Sequence, residues 1–270
     1  MLTNRKIGFI GGGNMAEALI RGLLAGEIPA ADISVSEPVA ERRSYLAARY
    51  GVSVTGDNRS VAAASDPIIL SIKPQTAAAV LAEISTVLTT DNLLISIMAG
   101  IRTGAIEAAS PPGTRTIRVM PNTPALVLEA ASAIAPGGCA TGNDTLLACR
   151  IFELVGKAWV VEEKLMDAVT GLSGSGPAYV LTFIEALADA GVKNGLPRSV
   201  ASGLAVQTVL GTARLLLETG EHPAVLREKV TSPGGTTIAG MHTLEKEGFR
   251  GAIIDAVDTA TARSRQLGGG

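Results

Sequence analysis

The chain has 270 residues, with 23 Lys and Arg against 25 Asp and Glu and a formal net charge of −2. That length buries a large core and accommodates two domains, and charges of both signs spread along it leave no basic face for nucleic acid. Only four Phe, three Tyr and one Trp occur among 47% hydrophobic residues, so Ala, Val, Leu and Ile pack the core and base-stacking surfaces are disfavoured. No run approaches the ~18 uninterrupted apolar residues of a spanning helix. No membrane is therefore expected, and the apolar excess is assigned to core and a subunit interface. Met1–Arg5 lacks the apolar centre of a signal peptide, which implies a cytoplasmic protein. Cys139 and Cys149 form no C-x-x-C and read as small buried residues of a reducing compartment, while His222 and His242 lack metal-site spacing, so no metal is expected.

Lys6-Ile7-Gly8-Phe9-Ile10 reads as a short buried strand running into Gly11-Gly12-Gly13-Asn14-Met15-Ala16 and then an amphipathic segment, Ala18 to Leu24. Gly11, Gly13 and Ala16 fit the G-x-G-x-x-G/A dinucleotide pattern in its required context, strand before and helix after. The first glycine makes the tight turn, the second admits a pyrophosphate, and the small third residue lets helix pack on strand. A second strand, 33–36, ends at Glu37, where a ribose-reading carboxylate is expected. Further strands are predicted at 52–54, 67–72, 92–97, 115–120, 131–135 and 158–161, with helices at 14–26, 38–50, 75–88 and 142–155. This alternation specifies an α/β fold, a Rossmann-type doubly wound, mostly parallel sheet over residues 1–161. From 162 to 270 only helices are predicted, at 163–171, 176–194, 198–219, 222–230, 235–247 and near 250–267. Helices this rich in Ala, Leu and Val with no sheet to cover make that segment an all-helical dimerisation domain. The terminal Gly268-Gly269-Gly270 is expected to fray.

In an open α/β sheet, ligands bind in the crevice at the carboxyl ends of the strands. Three such ends are unusual: Ser71-Ile72-Lys73-Pro74, Ile97-Met98-Ala99-Gly100 and Met120-Pro121-Asn122-Thr123-Pro124. Singly, the first two are ordinary turns before helices. Together the three line one rim of a nucleotide crevice. Ser175 and Pro177 suit the N-cap and first turn of the helix that follows, and Gly174 and Gly176 leave room for a ligand. Glu162 and Glu163 form either a ligand-facing acidic pair or helix N-terminal charge, and Lys193 is most simply a cation at a helix C-terminus.

Thr231-Ser232-Pro233-Gly234-Gly235-Thr236-Thr237 precedes Ile238, Met241 and Leu244, apolar positions at helical spacing. Its paired glycines allow close backbone approach, and the free N–H groups of the helix it opens attract a carboxylate or phosphate. Such a segment alone is more often a capped loop. No Ser/His/Asp set, reactive thiol or metal cluster emerges, so a dinucleotide site and an anion-binding helix start point to hydride transfer to or from a small carboxylate. A hydroxyacid dehydrogenase, with Lys193 as its one candidate base, and an inert nucleotide sensor are the alternatives.

Gly8–Met15, Lys73-Pro74, Met120–Pro124, Asp167–Tyr179 and Val230–Thr237, in that order, resemble pyrroline-5-carboxylate reductase across essentially the whole chain. The resemblance implies reduction of Δ1-pyrroline-5-carboxylate, a cyclic imino acid, to L-proline with NADPH or NADH. It also implies a helical domain that intertwines into a homodimer, assembled in some members into rings. In that family the residues matching Ile10, Gly11, Gly12, Gly13, Asn14, Met15, Glu37, Asn58, Ser71, Ile72, Lys73, Pro74, Ile97, Met98 and Ala99 hold the cofactor. The loop matching Ser232, Gly234, Gly235 and Thr236 takes the substrate carboxylate, Thr237 bonds the ring nitrogen as the catalytic group, and Glu163 lies near the ligand. Glu37 departs from the small hydroxyl residue of many NADPH-favouring members, with Arg42 and Arg43 close enough in sequence to offset its charge.

Overall fold

Short apolar runs separated by amphipathic segments give all eight expected strands, with ends shifted by at most two residues. The computed structural model describes Leu2 and residues 5–268. Gly269 and Gly270, part of the tail expected to fray, lie outside the described residues, whereas the Gly268 N–H closes the last helix on the Ser264 and Arg265 carbonyls. In chain order the sheet-bearing part runs β1 (Ile7–Ile10), α1 (Asn14–Ala25), β2 (Ile33–Ser36), α2 (Ala40–Tyr50), β3 (Ser53–Thr55), α3 (Asn58–Ala64), β4 (Ile68–Leu70), α4 (Ala77–Ile84), β5 (Leu93–Ser96), α5 (Thr103–Ala108), β6 (Arg115–Met120), β7 (Ala130–Pro136), α6 (Gly142–Glu153) and β8 (Gly156–Val160).

The strands form one sheet in the order β3-β2-β1-β4-β5-β6-β7-β8. Pairing is parallel throughout except between β6 and β7. Period-two alternation divides the side chains between two buried layers. Ile7, Phe9, Ile33, Val35, Ile69 and Ile95 pack on one face, and Ile10, Ile68, Leu70 and Leu94 on the other. That double cover explains why these strands read as unbroken apolar runs. The chain builds outward from β1 to β3, then returns to the other side of β1 at β4, and this reversal opens the crevice in which such sheets bind ligands.

Beyond β8 come α7 (Met166–Val169), a π turn (Thr170–Gly174), α8 (Gly176–Lys193), α9 (Arg198–Thr219), α10 (Pro223–Lys229), α11 (Thr236–Lys246) and α12 (Phe249–Leu267). Compact packing divides the chain differently from its secondary structure. One unit holds residues up to Ser175 together with those from Thr259 onward, and the other holds Gly176–Asp258. Within the second unit Gly191 allows α8 and α9 to approach, since a Cβ there would sit 3.0 Å from that of Ala201.

Two local expectations are corrected. Ser175 is not an N-cap: its dihedrals are helical and its N–H bonds to the Thr170 carbonyl, closing the π turn. Pro177 lies in the first turn of α8, as expected, where its missing N–H costs no hydrogen bond. Of the cysteines, Cys139 is exposed in the loop after β7 and only Cys149 is half-buried. Burial, and secondarily the Glu153 charge, pushes the Cys149 thiol above its ordinary range.

Candidate active site

The crevice at the β1/β4 reversal is lined by Gly13, Asn14, Met15, Ser71, Ile72, Lys73, Pro74, Ile97, Met98 and Ala99, with Met120 and Pro121 completing its rim. Its volume is about 330 Å³. Gly11 turns the chain with φ +97°, and a Cβ there would penetrate the Ser71 carbonyl oxygen. At Gly13, by contrast, a Cβ would meet nothing within 4 Å. Gly13 is also the N-cap of α1, with no side chain to satisfy the first N–H groups of that helix. An open space before an uncapped helix start fits a pyrophosphate. Ile10 itself is fully buried, and its carbonyl fixes the facing loop by accepting the Ser71 N–H at 2.8 Å.

Glu37 follows β2 and is 9% exposed. Its Oε2 accepts the Gly12 N–H at 2.9 Å and its Oε1 the Val39 N–H at 3.0 Å. Asn58 lies beside the end of β2, accepting from Ser36 Oγ at 2.6 Å and donating to Glu83 at 2.8 Å, outside the lining of the crevice. The two arginines are committed elsewhere. Arg42 donates from Nε to the Gly12 carbonyl and from Nη2 to Glu17, and Arg43 donates to the carbonyls of Glu37 and Pro38. Tyr45 and Tyr50 also donate to Glu17, at 2.8 and 2.6 Å. Burial raises the Glu17 pKa, but the bonds from Tyr50, Arg42 and Tyr45 outweigh it and leave the carboxyl below its ordinary range. Burial and the bond to Glu17 push the Tyr50 hydroxyl up to about 12.

In the helical unit, Gly234 adopts φ +67° and Gly235 is the N-cap of α11, with no side-chain cap. A Cβ on Gly235 would collide with the Ser232 hydroxyl. Thr231 is spent on the Arg227 carbonyl. The hydroxyls of exposed Thr236 and half-buried Thr237 make no hydrogen bond within the described residues. A free helix start and two free hydroxyls therefore coincide in one short loop.

Against known proteins, the chain is 48% identical over 268 residues to the pyrroline-5-carboxylate reductase of Methanosarcina acetivorans, a match covering 99% of each. The chain belongs to the pyrroline-5-carboxylate reductase family. The family member of a Synechocystis strain is 50% identical over 264 residues, 97% of this chain and 98% of its own. Among solved members, that of Coxiella burnetii superposes with a TM-score of 0.93 at 36% identity, covering 98% of this chain and 99% of its own. A Plasmodium falciparum pyrroline carboxylate reductase with NADP bound gives 0.88 at 33%, over 98% of each chain. The family model for pyrroline-5-carboxylate reductase dimerisation matches residues 163–267, and one for NADP oxidoreductase, coenzyme F420-dependent, matches 6–100.

Membership in the pyrroline-5-carboxylate reductase family gives the apolar helices a physical meaning. In α9, Leu204, Leu210 and Leu217 are 56%, 44% and 68% exposed. Among the described residues α9 is the one helix long and apolar enough to cross a membrane, with 11% of that stretch buried. This exposed apolar surface lies inside the matched dimerisation segment. Glu163 does something the sequence did not disclose: its Oε1 accepts the Thr103 N–H and its Oε2 the Thr103 hydroxyl, both at 2.7 Å, so that it caps α5. Asn122 is likewise an anchor, accepting from Ala131 N–H at 2.9 Å and donating to the Ser173 carbonyl at 3.1 Å. Gly174 is small for packing, since a Cβ there would lie 2.7 Å from Met120 Cε. Arg42, expected to offset Glu37, instead bonds Glu17, and Glu17 escaped sequence reading because Arg42 lies 25 residues away.

Proposed function

We infer that the dinucleotide crevice and the Thr231–Thr237 loop are the working parts of a pyrroline-5-carboxylate reductase. The chain reduces Δ1-pyrroline-5-carboxylate to L-proline with hydride from NADPH or NADH, the last step of proline biosynthesis. One observation supports this reading above the others: α11 begins without a cap, beside two threonine hydroxyls that have no hydrogen-bond partner among the described residues. That arrangement receives a carboxylate and leaves a hydroxyl for a ring nitrogen.

The residues divide the work. Gly11 shapes the turn, Gly13 gives the pyrophosphate its space, and the α1 N-terminus with Asn14 and Met15 supplies donors. Ser71–Pro74 and Ile97–Ala99 bound the nicotinamide end, while Glu37 and Asn58 serve the adenosine ribose. Ser232, Gly234, Gly235 and Thr236 hold the substrate carboxylate through backbone N–H groups. Binding energy taken there, remote from the reacting bond, fixes the ring carbon that receives hydride. Thr237 orients or protonates the nitrogen as the imine becomes an amine. Glu163, with both oxygens held by Thr103, acts by fixing the segment around α5. When bound, the nicotinamide supplies the hydride.

Of the two cofactors NADH is favoured. A carboxylate at Glu37 bonds free ribose hydroxyls and repels a 2′-phosphate, and the neighbouring arginines already have acceptors. The working form is a cytoplasmic homodimer built on the helical segment. The test follows cofactor absorbance in full-length enzyme given Δ1-pyrroline-5-carboxylate with NADH or NADPH, and in reverse with L-proline and the oxidised cofactors at alkaline pH. Turnover of 2-hydroxy acids in place of L-proline would return the reading to a hydroxyacid dehydrogenase. Cofactor binding without turnover of either would leave a nucleotide sensor.

A further inference from the structure

Arg118, in the middle of β6, is a buried cation without full satisfaction. Its side chain is 4% exposed, its Nη1 lies 3.6 Å from Glu163 Oε1, and its Nη2 has no hydrogen-bond partner. A buried guanidinium N–H left unpaired is costly, and such groups normally find an acceptor in protein, water or ligand. Arg118 lines a cavity of about 390 Å³, together with Arg102, Glu163, Lys164, Asp167 and Arg265. The cavity shares no lining residue with the dinucleotide crevice.

The two carboxylates in its wall are already occupied, Glu163 by Thr103 and Asp167 by the Ser264 hydroxyl at 2.7 Å. Lys164 is paired with Glu162. Arg102 and Arg265 have no side-chain partner among the described residues, and both are exposed. With Lys164 neutralised by Glu162, three guanidiniums face two carboxylates, an excess of one positive charge, and the guanidiniums have donors to spare. Planar forks of N–H groups fit the oxygens of a phosphate bidentately, three guanidiniums at one cavity supply enough donors for its several oxygens, and the net positive charge attracts an anion.

We propose that this cavity is a second anion site of the enzyme, binding a phosphate group through Arg102, Arg118 and Arg265. The phosphate is either inorganic or the end of a small phosphorylated metabolite. Calorimetric titration of inorganic phosphate, and in a second arm glycerol 3-phosphate, into full-length enzyme saturated with NADH and L-proline tests it. Those two ligands occupy the dinucleotide crevice and the carboxylate loop, so remaining phosphate binding reports the new site. The expected result is saturable binding of a single phosphate per protomer. Arg102→Gln and Arg265→Gln should each weaken it by about tenfold, as loss of a charge-assisted bond does. Both variants are at exposed positions and should keep the wild-type affinity for NADH and the wild-type turnover, which shows that they fold. Tighter binding of the ester assigns the site to a phosphorylated metabolite, and equal or weaker binding assigns it to free phosphate. Absence of saturable binding in the wild type, or equal affinity in the double variant, overturns the proposal.

Discussion

Replacing Glu37 by Ser should move cofactor preference toward NADPH, by an amount that the geometry allows to be estimated. The carboxylate is pinned by the Gly12 and Val39 N–H groups at 2.9 and 3.0 Å, so it cannot swing away from an incoming ribose. A 2′-phosphate roughly 6 Å away, at an effective dielectric between bulk water and protein surface, meets about 1–2 kcal/mol of repulsion. NADH loses a hydrogen bond to the carboxylate worth about 0.5–1.5 kcal/mol. The two effects add to about 1.5–3.5 kcal/mol, or roughly 10- to 400-fold in the NADPH/NADH ratio of kcat/KM. Steady-state rates with both cofactors at fixed ionic strength provide the assay. In the wild type, discrimination against NADPH should shrink as salt rises. Gly12 also loses its acceptor, so thermal unfolding should record a stability loss of about 1–3 kcal/mol, separate from the ratio. If Glu37→Ser folds and binds NADH but shifts the ratio by less than about threefold, the carboxylate does not face the ribose and the argument fails.

Thr237→Ala should lower kcat/KM roughly 10- to 150-fold through loss of a charge-assisted bond worth about 1.5–3 kcal/mol, with NADH affinity constant, while Thr236→Ala loses much less; equal falls would make the loop a structural cap. Gly11→Ala should cost about 3 kcal/mol or more in folding, because φ is +97° and the Cβ strikes the Ser71 carbonyl. Gly13→Ala, with open space around it, should keep its Tm and lose cofactor affinity, so parallel losses in both variants would contradict the crevice described. Sedimentation should show an oligomer that Leu204→Glu with Leu217→Glu dissociates toward the 27.5 kDa monomer, and a wild type already monomeric at micromolar concentration refutes the assigned interface. Because the Glu17 pKa is lowered in the fold, its stabilisation is present above its ordinary value of 4.5 and disappears as pH falls through the folded value. Thermal unfolding across that range should show the loss in the wild type and a flatter profile in Glu17→Gln.

Much of the fold was legible because strands covered on both faces leave runs such as Ile68–Leu70 that no amphipathic helix would contain. The helices α3 and α5 were missed, since seven and six residues carry barely two turns of periodicity. At the site, glycines announced themselves through conformation: Gly11 and Gly234 have positive φ and no other residue fits as well. Side chains whose work depends on distant partners did not. Glu163 looked like helix N-terminal charge or a ligand group, and only the folded chain brings it to Thr103, 60 positions away. In β6 alternation puts Arg118 on the face opposite Ile117 and Val119, where a polar residue looks ordinary, and nothing local marks it as the wall of a cavity.

The bare start of α11 ties ligand binding to helix integrity. Without a Ser, Asp or Asn at Gly235, the first N–H groups of Thr236, Thr237 and Ile238 have no acceptor among the described residues. A carboxylate docked on them would act as the capping residue that the chain does not encode, worth about 1 kcal/mol to the helix in ordinary proteins. The first turn would then fray more readily before catalysis than during it. Amide hydrogen exchange at Thr236–Ile238 should slow when L-proline binds and stay fast when NADH alone is present, giving a local readout of which part of the site is filled.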